Sequence, residues 1–190
     1  MTSVSTYETP FKRRINSKTN YKKRLALLRS NLPRLVVRKS NKKVLVQIIE
    51  YNVSGDKTIV SADSRELKKF GWTLNTRNTP SAYLAGLLCG LKAKEKKIVE
   101  VVLDIGLNSS VHGSVVFSVL KGAIDAGLKS KSSDVVFPVD ERIKGKHLGE
   151  ETVKQFEKVK AELSKAWQKR ENDRGRAKTE CCRGNREEAC

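Results

Sequence analysis

The sequence has no Asp or Glu between Glu8 and Glu50, an interval in which Lys and Arg occur thirteen times. The whole chain has 39 Lys and Arg against 21 Asp and Glu, a net charge of +18, and the acid-free segment supplies +13 of it. Clusters of Lys and Arg bind nucleic acids by releasing the counterions condensed on phosphates. The composition therefore predicts a polyanionic partner that binds mainly the N-terminal quarter of the chain.

Long apolar runs are also missing. No run approaches the roughly 18 residues of a membrane span, and the N-terminus lacks the apolar stretch of a secretory signal. Binding to a membrane surface requires a basic helix with bulky apolar anchors, and only Tyr21, Leu25, Leu28 and Leu32 form such a stripe. That spacing is more typical of a helix packing on its own protein. We expect a soluble intracellular protein with no membrane partner.

Cysteine is scarce: Cys89 lies in a helical pattern, and Cys181, Cys182 and Cys190 lie in a polar C-terminal segment. Their spacing is not that of structural zinc or of a secreted disulfide framework. No Gly-rich phosphate loop follows a predicted strand, and neither histidine has a neighbouring arrangement that indicates nucleophilic catalysis. We therefore expect a reducing compartment, no metal, no cofactor, no small-molecule substrate and no enzymatic activity.

A chain of 190 residues has room for one well-buried domain with extensions. We predict a basic N-terminal arm and helix over residues 1–32 and an α/β nucleic-acid-binding domain over residues 33–148. A C-terminal amphipathic helix follows over residues 149–168, where apolar residues recur every three or four positions. Residues 169–190 have almost no large apolar side chain and are predicted to form a flexible tail.

Alternating apolar residues from Arg34 onward predict a three-stranded antiparallel meander, with strands near residues 34–39, 44–51 and 58–62. The middle strand is apolar on both alternating sets, so we expect helices to cover both faces of the sheet. A short helix from Ser64 to Gly71 and a longer one opened by Thr79 and Pro80 supply this cover. Small residues in the longer helix should let its backbone lie close to the sheet.

Residues 98–105 are almost uninterruptedly apolar, which is typical of a buried strand reached through a helical crossover. We therefore predict that βαβ crossovers continue the meander into a mixed sheet. Ser114 is expected to cap another helix that ends at Gly127, and residues 135–137 to form a short edge strand. The fold class is thus α/β, with a basic N-terminal arm and a C-terminal helix.

Several blocks of sequence resemble a known family in the order in which they occur. They are residues 18–25 (KTNYKKRL), 33–41 (PRLVVRKSN), 47–51 (QIIEY), 55–58 (GDKT), 78–80 (NTP), 103–107 (LDIGL), 121–128 (KGAIDAGL), 137–138 (FP) and 140–145 (DERIKG). These blocks resemble large-subunit ribosomal protein eighteen of the archaeal and eukaryotic type. The chain departs from that pattern at residues 108–116, where Ser109 and Val115 replace the basic or polar groups common in the family.

The resemblance implies a structural protein of the large ribosomal subunit that binds 5S rRNA. It further implies that the protein helps attach 5S rRNA to the large-subunit rRNA in the central protuberance, beside neighbouring ribosomal proteins. The expected location is the cytoplasmic ribosome.

Structured RNA is bound largely through its phosphates and 2′-hydroxyls, for which a line of cations is suited. Arg34 and Arg38 share one face of the first strand and are expected to present both guanidinium groups to one RNA groove. Tyr21 either stacks on a base or docks its helix, and Asn41 either reaches a base edge or shapes the turn. The complete predicted RNA-binding set is Arg13, Arg14, Lys18, Asn20, Tyr21, Lys22, Lys23, Arg24, Arg29, Arg34, Arg38, Lys39 and Asn41.

Two other functions fit part of the sequence. A metal-dependent RNA-processing nuclease would need carboxylates that converge on Mg²⁺, and Asp63, Asp104, Asp125 and Asp134 are the candidates. A turn residue that hydrogen-bonds locally is the simpler interpretation of Asp104. A generic RNA-binding adaptor would explain the charge but not the ordered blocks of family sequence.

Overall fold

The computed structural model describes the backbone of residues 9–187 and the side chains of residues 9–168. Ten α-helices and β-strands occur in this part of the chain, together with 3-10 helices at Ser64–Phe70, Asp134–Val136 and Lys146–Leu148. In chain order they are α1 (Lys12–Ile15), α2 (Tyr21–Leu28), β1 (Arg34–Lys39), β2 (Val44–Glu50), β3 (Lys57–Asp63), α3 (Thr79–Glu95), β4 (Val102–Asp104), α4 (Val115–Asp125), α5 (Asp140–Lys144) and α6 (Glu150–Glu187).

The strands form one mixed sheet in the order β3-β2-β1-β4. Strand β2 pairs antiparallel with both β1 and β3, whereas β4 pairs parallel with β1. The chain passes from β3 at one edge to β4 at the other through α3, which crosses the sheet. The predicted α/β class, meander and helical crossover into a mixed sheet are confirmed.

Helices cover one face of the sheet completely and leave part of the other face accessible. On β2, Val44, Val46 and Ile48 are fully buried, whereas the alternate residues Leu45 and Gln47 are only half-buried. The prediction that helices cover both faces is therefore wrong for this part of the sheet. The polar side chain of Gln47 on β2 lies opposite the polar Ser61 on β3, so this stretch of the face is compatible with water.

Close packing between α3 and α4 depends on glycine. A Cβ atom at Gly86 would collide with the backbone of Val119 in α4, and one at Gly122 would collide with the backbone of Tyr83 in α3. Gly86 and Gly90, two of the small residues predicted to bring α3 close to the sheet, instead lie close to α4. Since α3 contacts the sheet, α4 and α6, residues from almost every side of it are buried.

Several local elements differ from their predicted form. The 3-10 helix Asp134–Val136 replaces the predicted edge strand, and β4 has only three residues. Asp63 rather than Ser64 caps the helix Ser64–Phe70, because the Ser64 hydroxyl instead accepts a hydrogen bond from the Val44 amide at 2.9 Å. Asn78 rather than Thr79 caps α3. In both cases the N-cap lies one residue earlier than predicted, and the predicted helix is present.

Helix α6 packs on the domain through an apolar stripe, and Phe156, Val159, Leu163 and Trp167 are all buried in the common core. Its backbone stays helical beyond residue 168, to Glu187. Flexibility of residues 169–190 stays a prediction, as does the division of the chain into arm, domain, helix and tail. Residues 1–8 and the side chains of Cys181, Cys182 and Cys190 lie outside the described parts of the structure. Of the helices described, none has the length and apolar character needed to cross a membrane.

Candidate nucleic-acid interface

The basic N-terminal segment folds back on itself through local contacts. The side chain of Asn20 caps α2 by accepting a hydrogen bond from the Lys23 amide at 3.1 Å. Arg13 Nε donates to the Thr19 hydroxyl at 2.9 Å. The rings of Phe11 and Tyr21 pack with their centroids 5.2 Å apart. The turn α1 and the helix α2 therefore form one basic surface, although neither contains a buried residue.

Five alternating charges connect α2 to the sheet, and we call them the arginine–carboxylate network. Asp56, in the turn before β3, accepts hydrogen bonds from Arg24 Nη2 at 2.9 and 3.0 Å and from Arg34 Nη2 at 2.6 Å. Arg34 Nη1 donates to Asp104 Oδ2 at 2.9 Å. Arg38 Nη2 lies 3.7 Å from Asp104 Oδ1. The network thus joins α2, the turn between β2 and β3, β1 and the end of β4.

Two cavities flank the segment that contains Thr19 and Asn20. The larger, of about 420 Å³, is lined by Arg14, Ser17, Thr19, Asn20, Tyr21, Lys22 and Leu107. The smaller, of about 110 Å³, is lined by Arg13, Lys18, Thr19, Asn20, Lys23, Arg24, Leu27, Arg34, Arg38, Asp104, Gly106 and Leu107. Asp104 is the only acidic residue of either lining, and the arginine–carboxylate network already pairs it with Arg34. Both cavities therefore present an excess of positive charge.

Comparison with known protein families decides between the functions that the basic surface allows. A model of the ribosomal large-subunit proteins 60S L5 and 50S L18 matches residues 5–97 and 91–133, which is more than half of the chain. The chain belongs to this family. It is a ribosomal protein of the large subunit, of a family that binds 5S rRNA, and it is not an enzyme. The resemblance inferred from the sequence blocks is thereby confirmed, and the nuclease and generic-adaptor alternatives are excluded.

Within this L5/L18 family member, three of the four carboxylates considered for a nuclease lie in separate contacts. Asp63 accepts from Lys43 Nζ at 2.6 Å, and Asp125 accepts from the Tyr83 hydroxyl at 2.7 Å. Asp104 belongs to the arginine–carboxylate network and also accepts from the Gly106 amide at 2.8 Å. Among the described residues no group of three or more His, Cys, Asp or Glu side chains is placed to hold a metal ion.

Most of the predicted RNA-binding residues lie on accessible surface in the L5/L18 protein, in two regions. The first region surrounds the cavities and contains Arg13, Arg14, Lys18, Asn20, Tyr21, Lys22, Lys23, Arg24 and Arg38. The second lies at the tip of the hairpin between β1 and β2, where Lys39 and Asn41 are exposed. Arg29 is also exposed and directly follows α2.

Arg34 differs from the other predicted residues because its side chain is only 4% exposed. Its two terminal nitrogens are bonded to Asp56 and Asp104, so its guanidinium is not presented to a groove as the strand pattern predicted. Arg38 lies on the same strand face but keeps 47% of its side chain exposed. The alternation of the strand places both arginines on the predicted face, yet only Arg38 is available at the surface.

The sequence analysis did not select Asp56 as a site residue. A search for cations has no reason to select a carboxylate, and its two arginine partners lie 32 and 22 residues away along the chain. The only local signal is the Gly55-Asp56 pair, which is typical of a turn. Leu107 was missed as well: this exposed apolar side chain lines both cavities.

Proposed function

We propose that the chain binds 5S rRNA through the surface formed by α1, α2, the two cavities and Arg38, and so attaches it to the large-subunit rRNA in the central protuberance. The observation that carries this proposal is the clustering of Arg13, Arg14, Lys18, Lys22 and Lys23 around two adjoining cavities. Asp104, the one carboxylate in their linings, is already paired. An RNA backbone that crosses this surface meets cations on both sides of residues 19 and 20.

The sizes of the cavities suit different parts of a nucleotide. The smaller one has room for a phosphate, and cationic groups from α2 and β1 line it on different sides. The larger one has room for an unstacked base, and it offers the Tyr21 ring and the Leu107 side chain as apolar contacts. Specific recognition of RNA commonly uses unstacked bases packed on aromatic side chains. The Tyr21 ring also packs on the Phe11 ring, with the centroids 5.2 Å apart.

The hairpin tip provides a second contact region on the same RNA. Strand β1 separates Arg34 from Lys39 by five residue steps, or about 17 Å at the usual rise of a strand. Exposed Arg38, Lys39 and Asn41 therefore extend the basic surface away from the cavities. Contacts at both places would fix the orientation of the domain on folded RNA as well as its affinity.

Attachment to large-subunit rRNA and to neighbouring ribosomal proteins requires further surfaces. Residues 50–190 carry 26 basic and 20 acidic residues, a surplus of +6, which supports a second and weaker set of rRNA contacts. The half-buried Leu45 and Ile49 on the accessible face of β2 are suited to contact a neighbouring protein. Because the chain belongs to the family of large-subunit ribosomal proteins, we also propose that it acts in the cytoplasmic ribosome.

A pair of matched charge deletions tests the proposed surface. Replacing Lys22 and Lys23 by Ala should weaken 5S rRNA binding by about tenfold, and should reduce the slope of log affinity against log salt by about 2. The matched control replaces Lys158 and Lys165, which are exposed on α6, and also removes two charges. Filter binding of labelled 5S rRNA measures both variants. Equal losses in the two variants would show that RNA binding follows net charge alone and would contradict the proposed surface.

A further inference from the structure

Asp56 places a negative charge beside a surface that must attract phosphates. Its carboxylate accepts from Arg24 with both oxygens and from Arg34 with one, and 22% of its side chain is exposed. If charge alone mattered, removing this carboxylate would strengthen the binding of a polyanion. Its presence therefore needs a different physical reason.

That reason lies in how weakly α2 is otherwise held. The helix has eight residues, none of them buried, and isolated helices of this length are marginal in water. Leu27 and Leu28 are only half-buried, so apolar packing contributes little to its position. The contact between Arg24 and Asp56 is a charge-assisted hydrogen bond between α2 and the body of the domain.

The other end of this connection lies in the sheet and is buried. Arg34 starts β1, is almost completely buried and is fixed by Asp104 at the end of β4. Asp56 accepts from this buried arginine at 2.6 Å and from Arg24, on α2, at 2.9 Å. A chain of alternating charges therefore runs from the sheet through Arg34, Asp56 and Arg24 to α2.

We propose that Asp56 is a positioning residue for RNA binding, which holds the basic face of α2 in its RNA-binding orientation through Arg24. The inference rests on the proposed function, because α2 is one of the elements placed on RNA there. Holding the cations of α2 in place before RNA arrives should favour binding by more than the carboxylate of Asp56 opposes it, because that carboxylate is already paired with two arginines. Preorganisation of this kind improves affinity by lowering the entropy lost on binding.

The test compares two substitutions that each remove one negative charge. Asp56→Asn breaks the ionic connection, whereas Glu50→Gln changes an exposed carboxylate at the end of β2. We expect Asp56→Asn to bind 5S rRNA about tenfold more weakly than the unmodified chain, although it is more positive. Glu50→Gln should bind equally well or up to about twofold more tightly. Filter binding at one fixed salt concentration measures all three proteins.

Two further measurements separate positioning from a general loss of structure. In the free protein, amide hydrogen exchange of residues 21–28 should accelerate in Asp56→Asn and not in Glu50→Gln. In an Arg24→Ala background, adding Asp56→Asn should cause no further loss of affinity, because the residue through which Asp56 acts is already gone. A further loss in that background of the same size as in the unmodified chain would overturn the proposal.

A second substitution keeps the proposal testable if Asp56→Asn does not fold. Arg24→Lys preserves the charge but removes the guanidinium Nη2, from which both Asp56 oxygens accept, and puts a more strongly hydrated ammonium in its place. It should weaken RNA binding several-fold, whereas Arg142→Lys, the same change at an exposed position on α5 away from both cavities, should have an effect below about twofold. Equal effects of these two changes, or an Asp56→Asn affinity at or above that of the unmodified chain, would overturn the positioning role while 5S rRNA binding stands. Failure of the unmodified chain to bind 5S rRNA would instead overturn the proposed function.

Discussion

The helical core and the proposed RNA-binding segment of this protein are held by opposite kinds of force. Helices α3 and α4 meet through Gly86 and Gly122, and most of the residues at their contact are apolar and buried. Segment α1–α2 has no buried residue and is connected to the sheet largely by the arginine–carboxylate network. Burial does not depend on salt, whereas exposed ionic contacts do. The two regions should therefore respond differently to salt, substitution and pH.

The largest expected difference between the regions is their response to salt. If six to ten phosphates are neutralised, 5S rRNA affinity should fall by about three to five decades between 50 and 200 mM salt. The free energy of unfolding of the protein alone should change little over that range, because burial of apolar surface dominates it. Filter binding and thermal denaturation at matched salt concentrations measure the two responses. A flat salt response of binding would contradict the phosphate contacts proposed for α1 and α2.

Substitution of Arg34 is expected to break the ionic connection between segment α1–α2 and the sheet. Arg34→Met leaves the buried carboxylate of Asp104 without its main partner, which should cost about 3 kcal/mol in the free energy of unfolding. Arg29→Met removes the same charge from an exposed position beside α2 and should change stability by less than about 0.5 kcal/mol. Urea denaturation of both variants checks this difference. Similar small losses in the two would mean that Arg34 is not the structural anchor its burial indicates.

The core could be predicted from the sequence better than the arginine–carboxylate network. The alternation of Leu35 and Val37 with Arg34 and Arg38, followed by turn residues, predicted the start of the meander because side chains of a strand point alternately to its two faces. The burial of Arg34 had no such signature, since it depends on carboxylates 22 and 70 residues distant along the chain. The same limit applies to Gly86: its small size predicts a close approach, but the sequence does not say that the neighbour is α4 rather than the sheet.

The candidate surface, too, could be predicted from the sequence only in part. The acid-free stretch located α1 and α2 as the basic region, because a run of charge of one sign is visible in the sequence itself. The two cavities are formed only when Leu107, from the loop after β4, lies against residues of the N-terminal segment. Such an encounter between distant segments needs the fold, which one sequence does not contain in explicit form.

The smallest expected effect concerns a polar contact at the edge of the core. The Tyr83 hydroxyl of α3 donates to Asp125 of α4 at 2.7 Å, and burial, with a further contribution from Asp125, raises the pKa of Tyr83 well above its ordinary value of 10. The folded chain therefore retains this proton at pH values where the unfolded chain loses it. The stabilisation from Tyr83 is complete below pH 10 and decreases as pH rises from there towards the pKa of the folded state.

Tyr83→Phe should lower the free energy of unfolding by about 1 kcal/mol at neutral pH, because it removes one hydrogen bond. The gap between the two proteins should then narrow above pH 10, where only the unmodified chain has the Tyr83 proton to lose on unfolding. Cys89, whose pKa burial raises to about 12, is present in both proteins, so its contribution cancels in the difference. Urea denaturation from pH 7 to 11 measures the gap. If the difference in free energy of unfolding between the two proteins stayed constant across that range, the pKa of Tyr83 would not be raised by folding. The contact between Tyr83 and Asp125 would then contribute no pH dependence to the packing of α3 on α4.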